Sequence, residues 1–232
     1  MGETVEFPSN GSTASGYLAV PASGSGPGVI VVQEWWGLNP QIKGVADRLA
    51  EEGFVALAPD LYHGEVAGHQ EMDKAAELMA KLPPDRAARD MSCAVDYLVS
   101  HPTVRGERIG VIGFCMGGGL CYVLAALRPD RVGAIVPYYG VIGVGDPNAP
   151  DWSRIEASIL GHYAENDEFF PPRRVRELEE HLKRLGKDVQ LIVYPGTGHA
   201  FANETDPLGT YNPQAAALAW SRTVEFLRSK LS

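Results

Sequence analysis

The chain has 232 residues, 45% of them hydrophobic, enough apolar material to bury a core and fold as one domain over residues 1–232. Its 20 Lys and Arg stand against 29 Asp and Glu, a formal charge of −9 that argues against nucleic acid as a partner, since that role needs a positive surface to collect phosphates. The N-terminal stretch lacks the basic and apolar regions of a secretory signal, no apolar run is long enough to span a bilayer, and three cysteines without a CxxC pair fit a reducing compartment, so a cytoplasmic protein away from membranes is expected.

In chain order, TVEFPS and SGYLAVP read as a hairpin at a sheet edge, with the turn cluster Ser9 to Gly16 between them. GVIVVQE (28–34) is a strand that ends on an acid, Glu34. A carboxylate closing an apolar strand ahead of Trp35-Trp36-Gly37 is costly to bury unless it is paired or functional; the plainer alternative is a strand-end group reaching water. A helix over Gln41–Glu52, a strand FVALAP (54–59), a segment 64–90 holding a helix and Pro83-Pro84, and a helix over Ala87–Ser100 follow. RIGVIGF (108–114), VGAIVPYYG (132–140), ASILGHYA (157–164) and VQLIVYPG (189–196) are further strands, alternating with helices over Gly117–Leu127, Pro172–Leu185 and Gln214–Ser229. Short apolar runs, each followed by a helical pattern, predict an α/β fold: a mainly parallel central sheet with helices on both faces and no large cap domain.

Three positions carry chemistry. Cys115 stands in Gly113-x-Cys115-x-Gly117, between a buried strand and an apolar helix, while Cys93 and Cys121 fall in helices as small hydrophobes. Such a strand-to-helix turn forces its central residue into a strained backbone that flanking glycines tolerate. It also sets the sulfur at a helix N-terminus, where the Met116 N–H is free to donate to an oxyanion. Taken alone, the turn serves equally well as packing. Two later features add to it: Glu165-Asn166-Asp167 follows one strand and Thr197-Gly198-His199 follows the next, both at strand C-terminal ends where open α/β sheets gather catalytic groups. The order Cys115, Asp167, His199 is nucleophile, acid, histidine, with Glu165 and Glu168 as alternatives for the acid. The other histidines show no ligand spacing, so no metal is expected.

The segments VVQEWWG, APDLYHG, GFCMGG, PYYG, HYAENDEFFPP and YPGTGHAFAN, in this order, resemble the dienelactone hydrolase family, and the similarity runs from about residue 5 to the C-terminus. The resemblance implies an α/β-hydrolase fold and cofactor-free hydrolysis of a small-molecule ester or lactone, in the family a dienelactone. It implies Cys115, Asp167 and His199 as the triad and Glu34 as a buried glutamate that helps generate the thiolate. It also implies Trp35 and Met116 as backbone donors of the oxyanion hole. One position departs: where family members that bind a substrate carboxylate carry arginine four residues after the histidine, this chain has Asn203, which supplies no charged clamp, with Arg86 or Arg89 of the variable region as the alternative source of positive charge. Trp35, Trp36, Tyr62, Tyr138, Tyr139 and Phe201, with Asn203, are read as an aromatic pocket for a neutral or aryl ester, against the alternative that most of them pack the core. The competing function is a non-catalytic binding protein that retains the fold.

Overall fold

The computed structural model describes residues 2–9 and 11–231. Strands β1 (Glu3–Ser9) and β2 (Ser12–Ala19) form an antiparallel hairpin, and β2 pairs antiparallel with β4 (Val55–Pro59). From β4 onward the sheet is parallel, through β3 (Gly26–Val32), β5 (Val104–Phe114), β6 (Val132–Tyr138), β7 (Ser158–Asn166) and β8 (Val189–Gly198), in the order β1-β2-β4-β3-β5-β6-β7-β8. The edge hairpin turns more tightly than its Gly, Ser and Thr content suggested: Ser9 pairs with Ser12, so residues 12–16 belong to β2. Strand β5 starts four residues earlier than its apolar run, because Val104 and Arg105 pair with Gly26 and Pro27 ahead of a bulge.

Side-chain alternation explains why the central strands read as unbroken apolar runs. In β3, Ile30 and Val32 enter the core on one face while Val29 and Val31 enter the core on the other. The first core packs against α2 (Met72–Lys81), α3 (Pro84–Ser100), α4 (Met116–Leu127) and α5 (Pro172–Arg184); the second packs against α1 (Pro40–Glu51) and α6 (Pro213–Leu231). The predicted α/β architecture with helices on both faces is therefore the observed one. Helix α1 starts sharply because Asn39 Oδ1 accepts the Ile42 N–H at 3.0 Å and Pro40 occupies the first turn. No helix of the described residues is long and apolar enough to cross a membrane.

The sheet order sets β5, β6, β7 and β8 side by side. Loops leaving the C-terminal ends of β5, β7 and β8 therefore meet at one edge, and they carry Cys115, Asp167 and His199.

Candidate active site

Cys115 connects β5 to α4 at φ 52°, ψ −116°, a left-handed conformation that costs a side-chain-bearing residue of order 1–3 kcal/mol. The turn is locked from both sides: the Cys115 N–H donates to Tyr138 O at 3.0 Å, and its carbonyl accepts the Gly118 and Gly119 N–H groups at 2.9 and 3.2 Å. Close approach explains the glycines. A Cβ on Gly113 would stand 2.2 Å from Gly117 O, one on Gly117 would stand 2.5 Å from the Val32 and Gln33 carbonyls, and one on Gly140 would stand 1.9 Å from Cys115 O. No L side chain fits at those distances.

Past β7, Asp167 turns its carboxylate back on its own loop. Oδ1 accepts the Phe169 and Phe170 N–H groups at 3.0 and 2.9 Å, which leaves Oδ2 for His199 Nδ1 at 2.8 Å. Asp167 is 4% and His199 8% exposed, whereas Glu165 and Glu168 are on the surface, so the structure brings Asp167 to the histidine. A neutral imidazole that donates from Nδ1 to a carboxylate keeps a lone pair on Nε2. The ring is held by Tyr139, Phe169 and Phe170, with centroids at 5.3, 4.9 and 5.6 Å. The Thr210 hydroxyl donates to its backbone carbonyl.

Glu34 does not reach water. It is 2% exposed, accepting Asn203 Nδ2–H at 3.0 Å on Oε2 and the Tyr139 hydroxyl at 3.4 Å on Oε1. Burial pushes its pKa up to about 7, with His199 and the two donors opposing the rise. The half-buried Cys115 thiol is pushed up as well, first by loss of water and then by the Glu34 carboxylate, with the Met116 N–H partly offsetting both.

A cavity of about 230 Å³ opens on this cluster, lined by Trp35, Met79, Cys115, Met116, Phe169, Phe170, His199 and Leu208. The lining carries no Lys or Arg side chain. Of the residues read from the sequence as its aromatic wall, Trp35 is in place and the others are elsewhere. Trp36 is buried edge-on against Trp35 and His69. Tyr62 is buried with its hydroxyl on Met116 Sδ at 3.7 Å. Tyr138 donates to or accepts from Thr223 behind β6. Tyr139 stands behind Glu34, and Phe201 packs between Tyr139 and Tyr194. Asn203, expected at the substrate, is 0% exposed and bonded to Glu34 instead, because the loop after His199 folds inward through Ala200, at φ 62°. Arg86 Nη2 reaches the Leu61 carbonyl at 3.4 Å and is not part of the lining. Reading the sequence missed Met79, Phe169, Phe170 and Leu208. The Phe169-Phe170 pair directly after the acid was the visible signal; Met79 gave none.

This geometry is that of a hydrolase built at the C-terminal edge of a parallel sheet. The sequence profile described as the dienelactone hydrolase family matches residues 14–231. The chain belongs to the dienelactone hydrolase family. It is accordingly a carboxylic ester or lactone hydrolase on the α/β-hydrolase fold. Among relatives, it is 39% identical to protein usf of Aquifex pyrophilus and 37% identical to an Aquifex aeolicus protein provisionally named a carboxymethylenebutenolidase, in both cases over 100% of either chain. A solved structure from Klebsiella pneumoniae, provisionally titled a dienelactone hydrolase, superposes with a TM-score of 0.85 at 29% identity over 98% of each chain.

Proposed function

We propose that this dienelactone hydrolase family member cleaves a neutral, apolar carboxylic ester or lactone through an acyl-thioester on Cys115. The observation that carries the reading is the Asp167–His199 pair at 2.8 Å, standing at the same sheet edge as a cysteine held in a left-handed strand-to-helix turn.

In the proposed reaction the Cys115 S–H bond breaks, its proton passes to His199 Nε2, and the sulfur adds to the substrate carbonyl. Asp167 stabilises the resulting imidazolium. The carbonyl oxygen, now anionic, lies against the Met116 N–H, with the Trp35 N–H as the second donor. Collapse breaks the acyl C–O bond, and the imidazolium gives its proton to the departing alkoxide. Water then yields a proton to His199 and its oxygen to the thioester carbonyl; the acid leaves and the thiol is restored. Glu34 is a second base beside the sulfur, and when it holds the proton the thiolate loses its like-charged neighbour.

The substrate class follows from the cavity. Its wall is aromatic and thioether, without a cation to meet a carboxylate, and the amide that replaces the clamp arginine is already bonded to Glu34. The test is a panel contrasting neutral aryl esters with lactone carboxylates, run on the wild type and on Cys115→Ala. Turnover of the neutral esters that falls at least about a thousandfold in the variant is expected. Retained turnover in Cys115→Ala overturns the nucleophile, preference for the anionic lactone overturns the substrate class, and binding without turnover across the panel favours the non-catalytic protein.

A further inference from the structure

Helix α2 sorts its side chains by chemistry. At about 100° of rotation per residue, Met72, Ala76 and Met79 fall within an arc of about 60°, whereas Asp73, Lys74, Glu77 and Lys81 lie about 100–200° round the helix from Met72. The charged residues are exposed, with Glu77 and Lys81 paired along the helix. On the uncharged side only Ala75 and Leu78 are buried against the body of the protein; Met72 is 44% and Met79 42% exposed, and Ala76 is exposed between them. The apolar face of α2 is therefore wider than the protein covers.

Its uncovered part is continuous with the Cys115 cavity. Met79 belongs both to this stripe and to the cavity wall, and Phe169, also of the wall, is 56% exposed, so the cavity reaches the surface through an apolar mouth. Met72 stands outside the cavity, about two helical turns or about 10 Å back along α2. An extended chain gains about 1.2 Å per bond, so about eight or nine bonds span that distance. The cavity itself, at about 230 Å³, holds an aromatic ring with a short acyl group, since about 150 Å³ accommodates benzene. A longer substrate has to leave by the mouth, and there it meets the stripe. The stripe is far narrower than the patch of about 20–30 residues that a protein partner covers, and a formal charge of −9 opposes an anionic membrane. Flexible, unbranched thioethers on either side of a small alanine suit a linear alkyl chain instead.

We propose that the substrate carries a linear alkyl chain longer than the cavity, whose outer carbons lie along Met79, Ala76 and Met72. The inference rests on the cavity being the substrate site of an ester hydrolase, and it adds the length and shape of that substrate. Met72 is thereby a specificity-determining residue remote from the reacting atoms. Each methylene laid on the stripe is partly withdrawn from water in the ground state and the transition state alike, so the gain falls in KM.

The experiment is kcat/KM of the full chain for two ester series, each kept below the concentration at which its longer members aggregate. The para-nitrophenyl alkanoates, from acetate to dodecanoate, carry the chain on the acyl side; the alkyl benzoates, from ethyl to dodecyl, carry it on the alcohol side. In at least one series kcat/KM is expected to go on rising past the four-carbon member, by about twofold per methylene, and to level off near the decyl member. Met72→Glu is expected to lower the decyl value about tenfold through KM and to leave the shortest ester unchanged, while Met72→Leu keeps the wild-type profile. Lys74→Glu on the charged side, which shifts the net charge in the same direction, is expected to change neither ester. A profile that is flat or falling past the four-carbon member in both series overturns the proposal, as does a Met72→Glu effect that is absent or equal at every chain length. Ala76→Glu is read in the same way if the Met72 variant does not fold. Absence of turnover from every ester overturns this inference together with the hydrolase reading, whereas a flat profile with turnover that Cys115→Ala abolishes overturns this inference alone.

Discussion

At Gly117 one hydrogen atom stands where any other residue would press a methyl group into two backbone carbonyls of the β3 end, at 2.5 Å from each. Backbone cannot yield as a flexible side chain can, so Gly117→Ala is expected to lose about 2–4 kcal/mol in urea unfolding and most of the activity, a larger penalty than ordinary helix positions show. Glu34 gives a second residue-scale prediction. Its folded pKa of about 7 lies above its ordinary value of 4.5, so the native state binds the extra proton between those limits; the stability this contributes is complete below 4.5 and is lost as pH rises through 7. Glu34→Gln is expected to be more stable than the wild type by about 3 kcal/mol near pH 8 and little different near pH 4, as measured by chemical denaturation. Residue-level reading of the sequence was sharpest where backbone geometry forced the choice, as at Gly113 and Gly117. It failed at Asn203, where the left-handed Ala200 redirects the loop inward and no local pattern announces the turn.

Single elements show which local signals carry over to structure. Asn39 followed by Pro40 opens α1 as an N-cap with proline in the first turn, and Asn39→Ala is expected to cost about 1 kcal/mol of stability while the helix boundary stays in place. The strands and helices that frame the site were legible because burial on both faces leaves continuous apolar runs, and helices read by their own period. Helix α2 was legible as a helix but not as part of the cavity. Only Ala75 and Leu78 of it are buried, and Met79 turns toward Cys115 through tertiary packing alone. Met79→Ala is expected to raise KM for an apolar aryl ester by about three- to tenfold with kcat little changed, because this side chain adds contact with the substrate and none with the reacting groups, whereas Phe169→Ala, which also removes a ring packed on His199 at 4.9 Å, is expected to lower kcat as well. Phe169→Ala keeps the backbone N–H that Asp167 accepts, so the Asp167–His199 pair is retained.

Across the whole molecule two buried titrating groups oppose one another. His162, enclosed between Tyr194 and Thr223, is driven by burial down to about 3 from an ordinary 6.5, so it contributes stability that is present above 6.5 and lost as pH falls toward 3. Glu34 acts in the reverse sense between 4.5 and about 7. Over the shared span from 4.5 to 6.5 the folded chain takes up one proton at Glu34 and forgoes one at His162, and the two slopes cancel. Urea unfolding of Glu34→Gln across this span should uncover the His162 slope, with stability rising toward neutral pH; an unchanged flat profile would show that one of the two groups titrates elsewhere. The cavity wall also has a consequence at this scale. The reacting groups sit on strand ends fixed by the sheet, whereas Met79, Phe169 and Leu208 come from a lightly buried helix and from loops. New substrates can therefore be acquired by mutation of the wall while the scaffold's stability is left nearly untouched, which makes this a chain whose specificity can drift during evolution faster than its chemistry.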